Sequence, residues 1–204
     1  DRISPHCVVG QCTAEGLGDW FHKSSTQASS NYGIDRNGRV GLYVEEKNRS
    51  WCTSSNANDQ RAVTIECASD KAEPYAMHQV VYDRLIDLCE DICRRNGKKK
   101  LLWFGDKNKS LNYQPKADEM LITVHRWFAN KSCPGDWLYA RLGDLAAKVT
   151  SRLGSGNVEV IPAGMQAGEF QGLTEEQVLA KIGPLFSADQ KKSGILASVS
   201  MAQF

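Results

Sequence analysis

Between His125 and Cys133 the chain reads HRWFANKSC, followed at once by Pro134. This run sets an imidazole, then an ammonium six places on (Lys131), then a thiol two further on. Imidazole nitrogen and thiolate sulfur are donors that zinc prefers, and a lysine beside them can hold developing negative charge. A second imidazole, His6, lies in the apolar opening segment ISPHCVV. If His6, His125 and Cys133 converge, three protein donors leave one tetrahedral position for water. That is the layout of a hydrolytic rather than a structural zinc. Glu66 adds a carboxylate in the apolar segment AVTIECAS, where it is costly unless paired, hydrogen-bonded or poised for proton transfer. Strand alternation puts Val63, Ile65 and Cys67 on one face and Thr64, Glu66 and Ala68 on the other. Glu66 thus faces away from the apolar row, and both solvent and a cleft stay open as its surroundings. His22 and His78 lack such company and read as ordinary core or surface residues.

The elements that must position these groups are readable in outline. Strands are expected over 3–9, 32–35, 40–44, 62–67, 101–104 and 121–127. Asp35-Arg36-Asn37-Gly38 between the second and third is a hairpin signal, because Asn-Gly tolerates the positive φ of tight turns. Val81, Leu85, Leu88 and Ile92 recur at helical spacing and predict a helix over 77–95, with Asn96-Gly97 as its stop. Leu138, Leu142, Leu145 and Val149 predict another over 136–153. Strands and helices intermix around an antiparallel hairpin, so the expected architecture is α/β, a central mixed sheet flanked by helices.

Hydrophobic residues make up 41% and charged residues 24%, with a net charge of +1, so no strong field argues for nucleic acid or an anionic membrane. No apolar run is long enough to insert into a bilayer. The opening DRISPHCVVG lacks the charged region and long apolar stretch of a secretory signal. The seven cysteines (7, 12, 52, 67, 89, 93 and 133) are an odd total in a chain too large to need stapling, which favours a reducing site of synthesis. Cys89 and Cys93 share a helical face and read as core, and Cys7 and Cys12 are given no role. Trp51, Trp127 and Trp137 are candidates for groove walls, although tryptophan is more often core.

The segments PHCVVGQ, SSNYGIDRNGRVGLYVEE, RAVTIECAS and HRWFANKSCPGDWL, spread over about residues 1 to 150, together resemble the zinc-dependent N-acetylmuramoyl-L-alanine amidases of type 2. That family's fold is shared by bacteriophage endolysins and peptidoglycan recognition proteins. The resemblance implies one Zn2+ in a surface groove, held by His6, His125 and Cys133. It matches Glu66 to the glutamate that orients or deprotonates the water, and Lys131 to the lysine near the substrate carbonyl. Some members carry a catalytic tyrosine before the hairpin. Alignment on the hairpin puts Ser30 there, with Tyr32 two residues off, so Tyr32 receives no role and the glutamate sub-type is favoured. The activity implied is hydrolysis of the amide between N-acetylmuramic acid and L-alanine in peptidoglycan. The other functions in view are a metal-free peptidoglycan-binding module and a bacterial autolysin. The presence of Cys133 argues against the first. The missing signal favours a phage enzyme made in the bacterial cytoplasm and acting on the wall after release.

After Leu153 the texture changes. Gly154-Ser155-Gly156 opens an expected linker over 154–166, which closes an amidase domain over 1–153. Thr174-Glu175-Glu176-Gln177 reads as a capping box opening a helix with Val178 and Ile182, and a further helix is expected from about Ser193. The segment 167–204 resembles the first helices of a cell-wall glucosaminidase domain, cut short of its catalytic glutamate.

Overall fold

A computed structural model describes residues 1–154. The expected second domain and its helices near 174 and 193 lie outside the described residues, as does the linker beyond Gly154. The elements run in the order β1 (Arg2–Val8), α1 (Ala14–His22), β2 (Tyr32–Ile34), β3 (Val40–Leu42), α2 (Asn56–Asp59), β4 (Ala62–Ala68), α3 (Gln79–Arg95), β5 (Lys100–Leu102), α4 (Lys107–Asn112), β6 (Glu119–Ile122), α5 (Asp136–Tyr139) and α6 (Leu142–Gly154). The six strands form one sheet in the order β3-β2-β4-β1-β6-β5, parallel throughout except for the β2–β3 hairpin at one edge. The mixed α/β architecture expected from the pattern of elements is therefore present.

The two faces of this sheet differ in chemistry. Ile3, Cys7, Val63, Ile65, Cys67, Met120 and Ile122 belong to one buried apolar cluster with Val81, Leu85, Leu88, Cys89, Ile92 and Cys93 of α3. Leu142, Leu145 and Val149 of α6 complete it. Burial of each large aliphatic side chain contributes about 1.5–3 kcal/mol, so this face holds the sheet and helices together. The stop after α3 is a Schellman motif. Gly97 adopts φ +66° and donates to Arg94 O at 3.0 Å, and Lys98 donates to Cys93 O at 2.8 Å.

The opposite face carries Arg2, Ser4, Thr64 and Thr123, all buried, and it is held by polar bonding in which the short helix α2 takes part. Ser4 Oγ lies 2.7 Å from Thr123 Oγ1, and Asn31 Oδ1 accepts from the Thr64 amide at 3.0 Å. Asn58 Oδ1 accepts from Arg2 Nη1 at 2.9 Å and Thr123 Oγ1 at 3.0 Å, while its Nδ2 donates to Ser4 Oγ at 3.1 Å. One amide thus ties α2 to β1 and to the chain beyond β6.

The hairpin forms as expected. Asp35 Oδ1 accepts from the Asn37 and Arg39 amides at 2.8 and 2.9 Å, and Gly38 takes φ +80°. Two expectations need correction. The strand expected over 121–127 stops at Ile122, and His125–Trp127 is a 3₁₀ turn, because the Arg126 amide leaves the ladder and donates to Cys133 O at 3.1 Å. The single helix expected over 136–153 is α5 followed by α6, broken where the Arg141 amide donates to Leu138 O three residues back. Apolar spacing does not reveal that break, since Leu138, Leu142, Leu145 and Val149 are all still buried.

Asn58→Ala strips the buried Arg2 guanidinium and two hydroxyls of their shared partner. It should lower unfolding free energy by about 3 kcal/mol and the melting temperature by roughly 6–12 °C. Calorimetry checks this, and a loss below about 1 kcal/mol would mean that water replaces the amide.

Candidate active site

Strand register brings the distant residues together. His6 on β1 pairs directly with Glu66 on β4, so both side chains emerge on the polar face, near the carboxyl ends of parallel strands. On the other side of β1, Arg2 and Ile3 pair with Leu121 and Ile122, and the Thr123 amide donates to Ile3 O at 3.0 Å. Two residues past the Ser4–Thr123 contact, the rings of His6 and His125 lie 5.3 Å apart. The segment from His125 then folds back on itself through the Arg126–Cys133 bond, which returns Cys133 to the same spot. Gly135 makes this return possible. It sits at φ +81°, and a Cβ there would fall 2.8 Å from Pro74 O.

The donor atoms of His6, His125 and Cys133 all lie within 4.8 Å of one another. His6 Nδ1 is 3.2 Å from Cys133 Sγ, close to the ~3.5 Å that separates N and S donors on one tetrahedral zinc. Burial, followed by the neighbouring His125, lowers the His6 pKa to about 3. Burial, followed by the Lys131 charge, lowers that of His125. Both imidazoles are therefore neutral, the state in which they offer a lone pair to a metal. The Cys133 thiol is held well above its ordinary pKa by its hydrogen bond with Cys7, by burial and by the Glu66 charge. A divalent cation would compensate that cost, since metal binding drives off the thiol proton. His6 Nε2 and Glu66 Oε2 are buried polar atoms without a hydrogen-bond partner, as expected of a site built to take something more. These residues fit a metal ion.

The sequence left open whether Glu66 faces solvent or a cleft. It lies in the site, 14% exposed, with Oε1 3.9 Å from His6 Nδ1. Burial raises its pKa to about 7, and the bond from Cys52 opposes that shift. Lys131 is exposed in the loop between His125 and Cys133, and its charge reaches His125.

Sequence reasoning missed the loop between β3 and α2. Cys52 Sγ donates to Glu66 Oε1 at 3.5 Å, and Ser54 Oγ lies 2.9 Å from His125 Nε2. Ser54 has φ +60°, unusual for a residue with a Cβ. Asp59 imposes this shape. Buried, it accepts from the Cys52 and Thr53 amides at 3.1 and 3.2 Å and from Thr53 Oγ1 at 2.6 Å. The only sequence signal was the density of capping residues in TSSNAND, which marks a helix start and says nothing about what the loop touches. Of the three candidate tryptophans, Trp127 is core, stacked on Trp103 at 5.1 Å, and Trp137 packs edge-on to Tyr82. Trp51, next to Cys52, is exposed.

A partly buried mixed-donor cluster beside a carboxyl of raised pKa, at the ends of parallel strands, is an arrangement able to hold a metal ion and to move a proton. Residues 2–136, two thirds of the chain, match the family described as N-acetylmuramoyl-L-alanine amidase, and the chain belongs to that family. Its activity is that of a peptidoglycan amidase. Among solved structures it is similar to a mutant of PlyL, at 14% identity and TM-score 0.49, over 74% of this chain and 85% of that one. PlyL itself is similar at 16% identity and TM-score 0.47, over 72% and 82%. The Ph2119 endolysin from Thermus scotoductus MAT2119 bacteriophage Ph2119 is similar at 16% identity and TM-score 0.44, over 72% and 83%. No curated protein matches the chain.

Ser54 orients His125 through the ring nitrogen it contacts. Ser54→Ala should therefore weaken divalent-metal affinity about tenfold, measured by competition with a chelator, while the fold persists. Unchanged affinity would leave Ser54 no part in setting the ring.

Proposed function

We propose that the protein cleaves the amide between N-acetylmuramic acid and the L-alanine of the stem peptide, with zinc held by His6, His125 and Cys133. The observation that carries this reading is the convergence of those three donors beside the Glu66 carboxyl. When bound, zinc supplies a Lewis acid and a water acidified to near neutrality. His6 and His125 would hold it as neutral imidazoles, and Cys133 as thiolate. Glu66 takes the water's proton on its carboxylate and returns it to the leaving amine of L-alanine. A pKa raised to about 7 lets one carboxyl both accept and donate that proton near neutral pH. Lys131 stabilises the negative charge that develops on the lactyl carbonyl oxygen of muramic acid.

The sequence resemblance supports a phage or prophage endolysin acting on a Gram-positive wall, made in the bacterial cytoplasm and released to its substrate. Residues 1–153 form the amidase domain in this reading. The segment 154–166 is a linker to residues 167–204, which resemble the first helices of a glucosaminidase domain, a reading that rests on sequence alone. No helix among the described residues is long and apolar enough to cross a membrane.

Mass spectrometry of digested peptidoglycan tests the bond assignment. New free L-alanine amino termini are expected, whereas new reducing sugar ends would make the enzyme a glycosidase. Elemental analysis should find about one zinc per chain, and chelation should abolish lysis until zinc is restored. Glu66→Gln should keep zinc and fold yet lose roughly 10²–10⁴-fold in kcat. Normal lysis by that variant would remove Glu66 from the mechanism.

A further inference from the structure

Glu66 receives one side-chain hydrogen bond among the described residues, and its donor is a thiol. Cys52 Sγ donates to Oε1 at 3.5 Å, while Oε2 is buried and unpartnered. The two oxygens of this carboxyl are thus already distinguished by the protein. Cys52 is also held from behind. Its amide donates to Asp59 Oδ2 at 3.1 Å, and the next residue, Thr53, donates to the same carboxylate through both its amide and its hydroxyl. With its backbone fixed on α2, the Cys52 side chain has little freedom to leave Glu66. The sulfur, a nitrogen of His6 and an oxygen of Glu66 fall within 4.8 Å of one another, so the thiol borders the proposed metal centre.

We propose that Cys52 is a positioning residue for the amidase reaction, its S–H holding Glu66 Oε1 and so fixing the orientation of the carboxyl beside His6. The inference rests on the reading of Glu66 as the proton-transfer group. A carboxyl free to swing about its side-chain bonds spends part of its time with neither oxygen at the water. A fixed orientation removes that loss before reaction. A thiol suits the task because it is a weak donor that restrains the carboxyl while withdrawing little of its basicity.

The test is a double-mutant cycle on the full chain, with kcat and KM measured on a soluble muramyl peptide and zinc content measured on each variant. Cys52→Ala should lower kcat roughly tenfold with KM and zinc content unchanged. Cys52→Ser, which restores a donor, should fall between that variant and the parent. In the Glu66→Gln background, Cys52→Ala should cost nothing further, since the group it orients no longer takes the proton. The proposal is overturned if Cys52→Ala keeps the parental kcat, if it loses zinc together with activity, or if its loss persists in full in the Glu66→Gln background. Full activity of Glu66→Gln alone would instead refute the role of Glu66, and the positioning role would fall with it.

Discussion

The parallel pairing of β1 with β4 on one side and β6 on the other is the constraint on which the site depends. Side chains alternate along each strand, so the register decides which of them share a face. His6 opposite Glu66 puts an imidazole and a carboxyl on the polar face, and the continuation past β6 adds His125. A slip of one residue between β1 and β4 would place His6 beside Ile65 or Cys67, whose side chains belong to the opposite face. The apolar cluster under α3 and α6 forbids that slip, because it would bury imidazole or carboxyl where Ile3, Ile65 and Cys67 now pack. Core packing and site geometry are thus two consequences of one register.

The polar face supplies the electrostatics. It buries His6 almost fully, at 1% exposure, and leaves Glu66 14% exposed. Desolvation then acts in opposite senses on the two groups, favouring the neutral imidazole and the protonated carboxyl. A neutral imidazole is the form able to bind a metal ion, and a carboxyl near pKa 7 can exchange protons at neutral pH. His125, Lys131 and Cys133 lie further out, and their half-buried and exposed positions leave this side of the cluster accessible.

The loop from Trp51 to Ser55 connects the two halves of the site. It reaches Glu66 through Cys52 and His125 through Ser54, while Asp59 holds its backbone. Ser54 at positive φ carries a backbone cost of order 1–3 kcal/mol, which the buried Asp59 bonds offset. A strained loop retained at the point where it contacts both a proposed ligand and a proposed base is consistent with a role in orienting them.

By itself the sequence determined the two faces of the strand that carries Glu66, the hairpin, the long helix with its glycine stop, and the residue types able to hold zinc. Those features are local, set by side-chain alternation, helical period and positive-φ turns, and His125, Lys131 and Cys133 are close enough in sequence to be read as one group. Tertiary structure decided that His6 meets them from more than a hundred residues away and that Glu66 faces the cluster rather than solvent. It also ended the strand before His125 and broke the helix expected over 136–153 at Arg141. Cys52 and Ser54 were invisible beforehand, because a residue in an irregular loop has no period to reveal its direction. Only the buried Asp59, three strands' worth of register and the packed core together say where such a side chain points.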